Sequence, residues 1–138
     1  MIEKSISAVL CAYIFLLLVS TVLSRQINDN RMSILKPFWT YSVIARGGWK
    51  AMRLKQEIAF NILMMIPIGA LCPVLFKEHT ILKTLVTGLI STLLIEVLQY
   101  VTKRGYLEFD DIVHNTLGIL IGFAFYKGIK SAKRFWSC

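Results

Sequence analysis

Ionisable and amide side chains gather in one part of this chain, between residues 96 and 118, where two apolar segments meet. A charged side chain at the centre of a membrane-spanning helix costs about 2.5–3.5 kcal/mol on insertion scales, so a cluster of such groups is a candidate functional site. Carboxylates suit acid–base chemistry, and a guanidinium suits an anionic substrate. The candidates here are Glu96, Gln99, Arg104, Glu108, Asp110, Asp111 and Asn115, and Asn61 joins them from an earlier apolar segment.

The composition places these residues in a membrane protein. Of 138 residues, 56% are hydrophobic and only 17% are charged, and the mean hydropathy is +0.62. These values exclude an ordinary soluble domain. Four apolar stretches approach the roughly 20 residues that a bilayer requires. They cover residues 6–23, 58–76, 81–100 and 112–129.

The predicted fold is all-α, because a backbone in hydrocarbon must satisfy its own hydrogen bonds. We expect a single domain over residues 1–138, built as a four-helix transmembrane bundle with an interfacial loop between the first and second helices. The first stretch is expected to be a span and not a cleaved signal peptide, since it is long and no A-x-A-like pattern follows it.

The order of the spans predicts that the candidates meet. Because the four spans alternate in direction, the loop before the second helix and the loop before the fourth lie on the same face of the membrane. All the candidates fall within about two helical turns of that face. Glu96 and Gln99, three residues apart, share one side of the third helix. Asp111 and Asn115, four residues apart, share one side of the fourth.

Structural roles compete with chemical ones for the carboxylates. Asp110 and Asp111 begin a helix, where capping and the helix dipole favour an anion, so capping accounts for one of them. Glu96 lies among apolar residues and is either a functional group or one half of a buried ion pair with Arg104. Because these charges can offset one another, we expect Glu96, Arg104 and Asp111 to converge.

Histidine chemistry and metal chemistry are the alternatives to carboxylate chemistry. Histidine has an unperturbed pKa near neutrality, so His114 is a candidate acid or base. It adjoins Asn115 on the helix, however, and can therefore face a different side of the helix from the other candidates. Glu96, Glu108, Asp110 and Asp111 form an all-oxygen set of the kind that magnesium prefers, although no recognised metal motif is present. We therefore predict no cofactor, with magnesium as the alternative. No nucleic-acid partner is predicted, because basic residues that flank spans explain the net charge of +8.

The loop from residue 24 to 57 contains several aromatic residues among basic ones, including Trp39, Tyr41 and Trp49. Such a segment is either an interfacial belt or a lid over the site.

The number of basic residues does not fix the orientation in the membrane, since seven lie on the side of the termini and nine on the other. The short basic flank at 127–134 favours both termini in the cytoplasm. Gly118 and Gly122 are expected to let a second helix approach closely.

Several of these residues together resemble the VanZ-like family of bacterial integral membrane proteins. The resemblance covers about residues 33 to 126. The matching residues are Leu35, Pro37, Phe38, Asn61 to Gly69, Pro73, Glu96, Gln99, Thr102, Arg104, Gly105, Asp110, Asp111 and Asn115 to Gly118. One departure is Glu108, which stands where the family pattern usually has an aspartate.

The resemblance implies a bacterial plasma-membrane protein that affects the cell envelope, since founding members are associated with teicoplanin resistance and wider comparisons group the family with predicted lipid-modifying enzymes. We therefore expect an enzyme that acts on a membrane lipid or lipid-linked envelope precursor, by hydrolysis or transfer at a phosphate-linked bond. The alternative is a non-catalytic module that binds lipid or antibiotic or assembles with partners. The expected catalytic residues are Glu96, Asp111, Arg104 and Asp110, and the expected substrate-binding residues are Asn61, Gln99, Asn115 and Glu108.

Overall fold

The structure is a computed structural model that describes residues 2–23, 25–27, 33–75 and 80–136. Four of its helices are long and apolar enough to cross a membrane, which confirms the predicted all-α, four-helix membrane fold. Residue 76, the predicted end of the second span, lies outside the described residues. In chain order the elements are α1 (Ile2–Leu18) with a π-helical turn (Val19–Leu23), β1 (Ser33–Ile34), α2 (Trp39–Ala45), α3 (Gly48–Leu75), α4 (Ile81–Val101), β2 (Leu107–Glu108) and α5 (Phe109–Trp136).

The helices α3 and α5 are each longer than the apolar stretches that predicted them. Hydropathy finds only the part of a helix that suits hydrocarbon, whereas the backbone hydrogen bonds continue into polar sequence. The start of α3 is set by Gly47 and Gly48, whose φ angles of +74° and +84° suit glycine and turn the chain out of α2.

Helices α3 and α5 pack so closely that glycine is required at the contact. A Cβ atom on Gly118 would overlap the carbonyl oxygen of Ile62. A Cβ atom on Gly122 would overlap the carbonyl oxygen of Ile66 in the same way. The close approach predicted for this side of the fourth span is therefore confirmed, and its partner is α3.

An apolar core formed by all four long helices lies beside the polar residues. Because α3 and α5 are in direct backbone contact, the side chains of α1 and α4 fill the remaining space around them. The buried members of this core are Leu17, Met65, Ile68, Cys72, Ile95 and Ile119.

The described part of the segment between α1 and α3 folds over one end of the bundle. Its strand β1 pairs in parallel with β2, with Ser33 opposite Leu107 and Ile34 opposite Glu108. Helix α2 then packs against α3. This segment and the α4–α5 connection therefore form one small cap on the end of the bundle that carries the candidate residues.

Candidate functional site

Helix α4 contributes two buried polar side chains to this end of the bundle. Glu96 is 1% exposed and Gln99 is 3% exposed. Glu96 Oε2 accepts the backbone N–H of Glu108 at 3.1 Å. Gln99 Nε2 donates to the backbone oxygen of Thr21 at 3.1 Å. The two side chains thus connect α4 to β2 and to the π-helical turn after α1.

Asp110 caps the start of α2 and not the start of its own helix, α5. Its Oδ1 accepts the backbone N–H of Phe38 at 2.6 Å, and its Oδ2 accepts that of Thr40 at 3.0 Å. These are the free N–H groups at the start of α2, where a carboxylate also meets the positive end of the helix dipole. The structure therefore gives Asp110 a structural role, because both of its oxygens are engaged. Its catalytic role stays a prediction.

His114 lies on the same side of α5 as Asp110 and is buried against α2. Its Nε2 is 3.0 Å from the hydroxyl of Tyr41, and the two rings meet edge-on at 5.8 Å. The residue thus contacts α2 through Tyr41. Together with Asp110 it holds α2 on the bundle.

The three carboxyl groups of Glu96, Glu108 and Asp111 form a carboxylate cluster under the cap. The charge of Asp111 acts on both Glu96 and Glu108. Asn61 of α3 hydrogen-bonds the Asp111 carboxyl. Residues from α3, α4, β2 and α5 therefore meet at this point, as the order of the spans predicts.

Glu108 lies outside the spanning helices and is easier to protonate than an ordinary glutamate. Burial, and then the charges of Asp111 and Glu57, raise its pKa to about 7. The Trp39 indole N–H and the charge of Arg25 oppose this shift. The indole approaches the carboxyl without completing a hydrogen bond to any described residue. Glu108 therefore changes its protonation state near neutral pH.

The predicted position of Arg104 requires a correction. Its Nη1 donates to the backbone oxygens of Leu23 and Arg25, both at 2.7 Å. The arginine whose charge acts on Glu96, Glu108 and Asp111 is Arg25. Sequence reasoning missed Arg25 because it lies in the loop after α1, far along the chain from the other candidates, and no local pattern marks it.

The described residues contain no group of three His, Cys, Asp or Glu side chains that could hold a metal ion. The carboxylates of the cluster instead face Asn61, the Glu108 backbone N–H and Arg25. The magnesium alternative stays a prediction.

Comparison with known protein families gives a match over most of the chain. The VanZ/LLP1 family model matches residues 6–131, which include the whole carboxylate cluster. The chain belongs to the VanZ/LLP1 family. The resemblance found in the sequence is therefore confirmed.

One curated VanZ relative is similar over part of its length. Protein VanZ from Enterococcus faecium is 31% identical over 71 residues, which is 51% of this chain and 44% of that protein. The match thus spans less than half of the relative's own length. No solved structure is significantly similar to the chain.

Proposed function

We propose that this protein is a membrane enzyme that catalyses hydrolysis or group transfer at a phosphate-linked bond. The bond lies in the headgroup of a lipid or of a polyprenyl-linked envelope intermediate. The observation that carries the proposal is the carboxylate cluster. Two of its members, Glu96 and Asp111, lie in spanning helices beside an amide, Asn61, and under the charge of Arg25. Ionisable groups in such segments are rarely retained without a function.

The position of the cluster suits a substrate with a long apolar chain. Helix α3 has 28 residues and is about 42 Å long, so it exceeds a hydrocarbon core of about 30 Å. Asn61 lies near the start of its apolar part, while Glu96 and Asp111 lie near the end of α4 and the start of α5. A substrate can thus keep its chain in hydrocarbon while its phosphate reaches the cluster, so binding of the chain positions the reacting group.

The proposed chemistry uses two carboxyl groups in different protonation states. One of Glu96 and Asp111 takes a proton from water or from an acceptor hydroxyl, whose oxygen then attacks phosphorus. The other gives its proton to the leaving oxygen as that bond breaks. Arg25 stabilises the negative charge of the phosphate. Asn61 orients Asp111, and Gln99 and Asn115 contact the headgroup.

A non-catalytic module is the second candidate, and one contact favours it. Glu96 accepts the Glu108 backbone N–H, so it also closes the fold between α4 and β2. A polar core of this kind could bind a lipid or an antibiotic without reacting with it. Isosteric substitution separates the two candidates, since an amide oxygen can still accept that N–H but cannot exchange a proton.

The proposed cellular role is a change in the envelope that alters susceptibility to teicoplanin. We propose the bacterial plasma membrane as the location, with both termini in the cytoplasm and the cap on the outer face. The association of the VanZ-like family with teicoplanin and the basic flank at the end of α5 support this proposal.

The test compares Glu96→Gln and Asp111→Asn with the unchanged protein in bacterial membranes. Lipid mass spectrometry and teicoplanin susceptibility are the two measurements. Loss of a general acid or base lowers the rate by about 10²–10⁴-fold, so both variants should lose the lipid change while still being produced and folded. Glu57→Gln is the matched control, because Glu57 is half exposed and pairs with Arg53. An unchanged lipid profile in well-folded Asp111→Asn would favour the binding module.

A further inference from the structure

Arg104 caps the carboxyl end of the first helix, although it belongs to the turn after α4. The last carbonyl oxygens of a helix have no partner within it and carry the negative end of the helix dipole. Arg104 Nη1 donates to two oxygens here, that of Leu23 in the π-helical turn and that of Arg25 just beyond it, both at 2.7 Å. These short, charge-assisted bonds fix the backbone that carries the Arg25 side chain.

The turn that carries Arg104 is itself held to α4. The backbone N–H of Arg104 donates to the oxygen of Gln99 at 2.9 Å. Gln99 Nε2 in turn donates to the oxygen of Thr21 at 3.1 Å, which is a further carbonyl at the end of the first helix. The end of α4 therefore holds the end of the first helix at two places, and Arg104 makes the contact nearer to Arg25.

The guanidinium of Arg25 occupies the space beside Gly105. A Cβ atom on Gly105 would lie 3.0 Å from Arg25 Nη1 and 3.0 Å from the Cβ atom of Gln99. Both distances are shorter than ordinary van der Waals contact, so a side chain at residue 105 would displace Arg25 or Gln99. Glycine thus lets the guanidinium approach the backbone of the turn closely.

We propose that Arg104 is a positioning residue, which holds Arg25 where its guanidinium meets both the carboxylate cluster and the phosphate of the substrate. The charge of Arg25 acts on all three carboxyl groups of the cluster. Arg25 is also exposed, so an anionic headgroup has access to it. The proposal rests on the proposed function for the phosphate, and it adds a residue that acts through Arg25 without touching the substrate.

Glu108 reports where the charge of Arg25 lies, and this report needs no substrate. Burial, and then the charges of Asp111 and Glu57, raise the pKa of Glu108 to about 7, while the Trp39 indole and the charge of Arg25 oppose the rise. Removal of the Arg25 charge from its place must therefore raise this pKa further. Loosening of the cap would act in the opposite direction, because burial is the largest cause and water would stabilise the charged carboxylate.

The experiment measures the pKa of Glu108 by carbon-13 NMR of the full-length protein in detergent, with labelled glutamate carboxyl groups. The signal that is absent in Glu108→Gln identifies the residue. Arg104→Met and Arg25→Met should both raise the pKa, and the double variant should raise it no further than Arg25→Met does, since one effect passes through the other. Arg104→Lys should restore the original value, because an ammonium group also donates to carbonyl oxygens.

The matched control is Lys103→Met, which removes a positive charge from the same turn but leaves the Arg104 hydrogen bonds in place. It should shift the pKa of Glu108 less than Arg104→Met does. If Arg104→Met does not fold, Arg104→Gln replaces it with the same expected rise, since its amide is shorter and uncharged.

The proposal is overturned by a pKa of Glu108 that is unchanged or lower in the Arg104 variant, by equal shifts in Lys103→Met, or by no recovery in Arg104→Lys. Failure of the proposed function gives a different result. There, Glu96→Gln would leave the cellular lipid profile unchanged, whatever the pKa of Glu108 does.

Discussion

Asp110 and Asp111 are adjacent in the chain, yet they point about 100° apart around α5. Asp110 faces α2 and binds its first N–H groups, whereas Asp111 faces Asn61 of α3. The same residue type therefore supports the cap in one case and belongs to the carboxylate cluster in the other. This separation gives the two aspartates different expected phenotypes.

Removal of the Asp110 carboxylate should destabilise the cap. In Asp110→Ala the N–H groups of Phe38 and Thr40 lose their acceptor, and loss of such a capping group costs about 1–2 kcal/mol. We expect a lower midpoint of thermal unfolding in detergent and faster trypsin cleavage after Arg46. Asp111→Asn, by contrast, should keep both close to those of the unchanged protein. Equal behaviour of the two variants would contradict the division of roles.

Glu108 should make stability depend on pH. Its pKa rises from 4.5 to about 7 on folding, so between these pH values the folded protein binds more protons than the unfolded chain does. The free energy of unfolding must then fall as pH increases through this interval. Glu108→Gln should flatten the fall in a series of thermal unfolding measurements, whereas Glu57→Gln should flatten it only in part, because it removes one of the charges that raise this pKa. A slope that is unchanged in Glu108→Gln would show that another group causes it.

At the level of elements, the contact between α3 and α5 positions the cluster. Asn61 and Asp111 meet because the helices approach until the backbone of α3 lies against Gly118 and Gly122. A larger side chain at either glycine must push the helices apart. That displacement would act on the cluster, since Gly118 lies about two turns after Asp111 on the same side of α5.

Gly118→Ala should therefore reduce both the stability and the proposed lipid-modifying activity. Overpacking of a close contact costs about 1–3 kcal/mol. The matched control is Gly128→Ala in the same helix, where a Cβ atom meets nothing within 4 Å. Alanine there should be neutral or slightly stabilising. Unfolding in detergent and the lipid assay are the measurements, and equal effects of the two substitutions would argue against the helix contact as the positioning element.

The long helices could be predicted from the sequence, whereas the cap could not. Apolar length is a local property, and it located α4 to within one residue at its end. Helix α2 has seven residues, too few for stability alone, and its capping carboxylate comes from Asp110, about 70 positions away. The β1–β2 pairing is equally non-local. The prediction placed Arg104 near the carboxylates, whereas in the structure the charge of Arg25 acts on them. This difference is also non-local, because it depends on how the loop after α1 folds back over the bundle.

At the scale of the whole molecule, the number of membrane spans determines which parts of the chain lie on the same face of the membrane. Four spans place the cap and the carboxylate cluster on the face opposite the end of α5. Basic residues within a short distance of a span orient a protein more strongly than those in a long loop, and the last turns of α5 are such a flank. We therefore expect the end of α5 inside the cell and the cap outside.

Labelling of single cysteines tests this orientation. In a protein whose native cysteines, Cys11, Cys72 and Cys138, are replaced, Ser42→Cys lies on an exposed part of α2 and Ser131→Cys on an exposed part of α5. An impermeant maleimide added to intact cells should label position 42, and position 131 should react only after permeabilisation. The opposite pattern would put the cluster on the cytoplasmic face, where it could act only on lipids of the inner leaflet. The teicoplanin role would then have to follow from a change made before the lipid is exported.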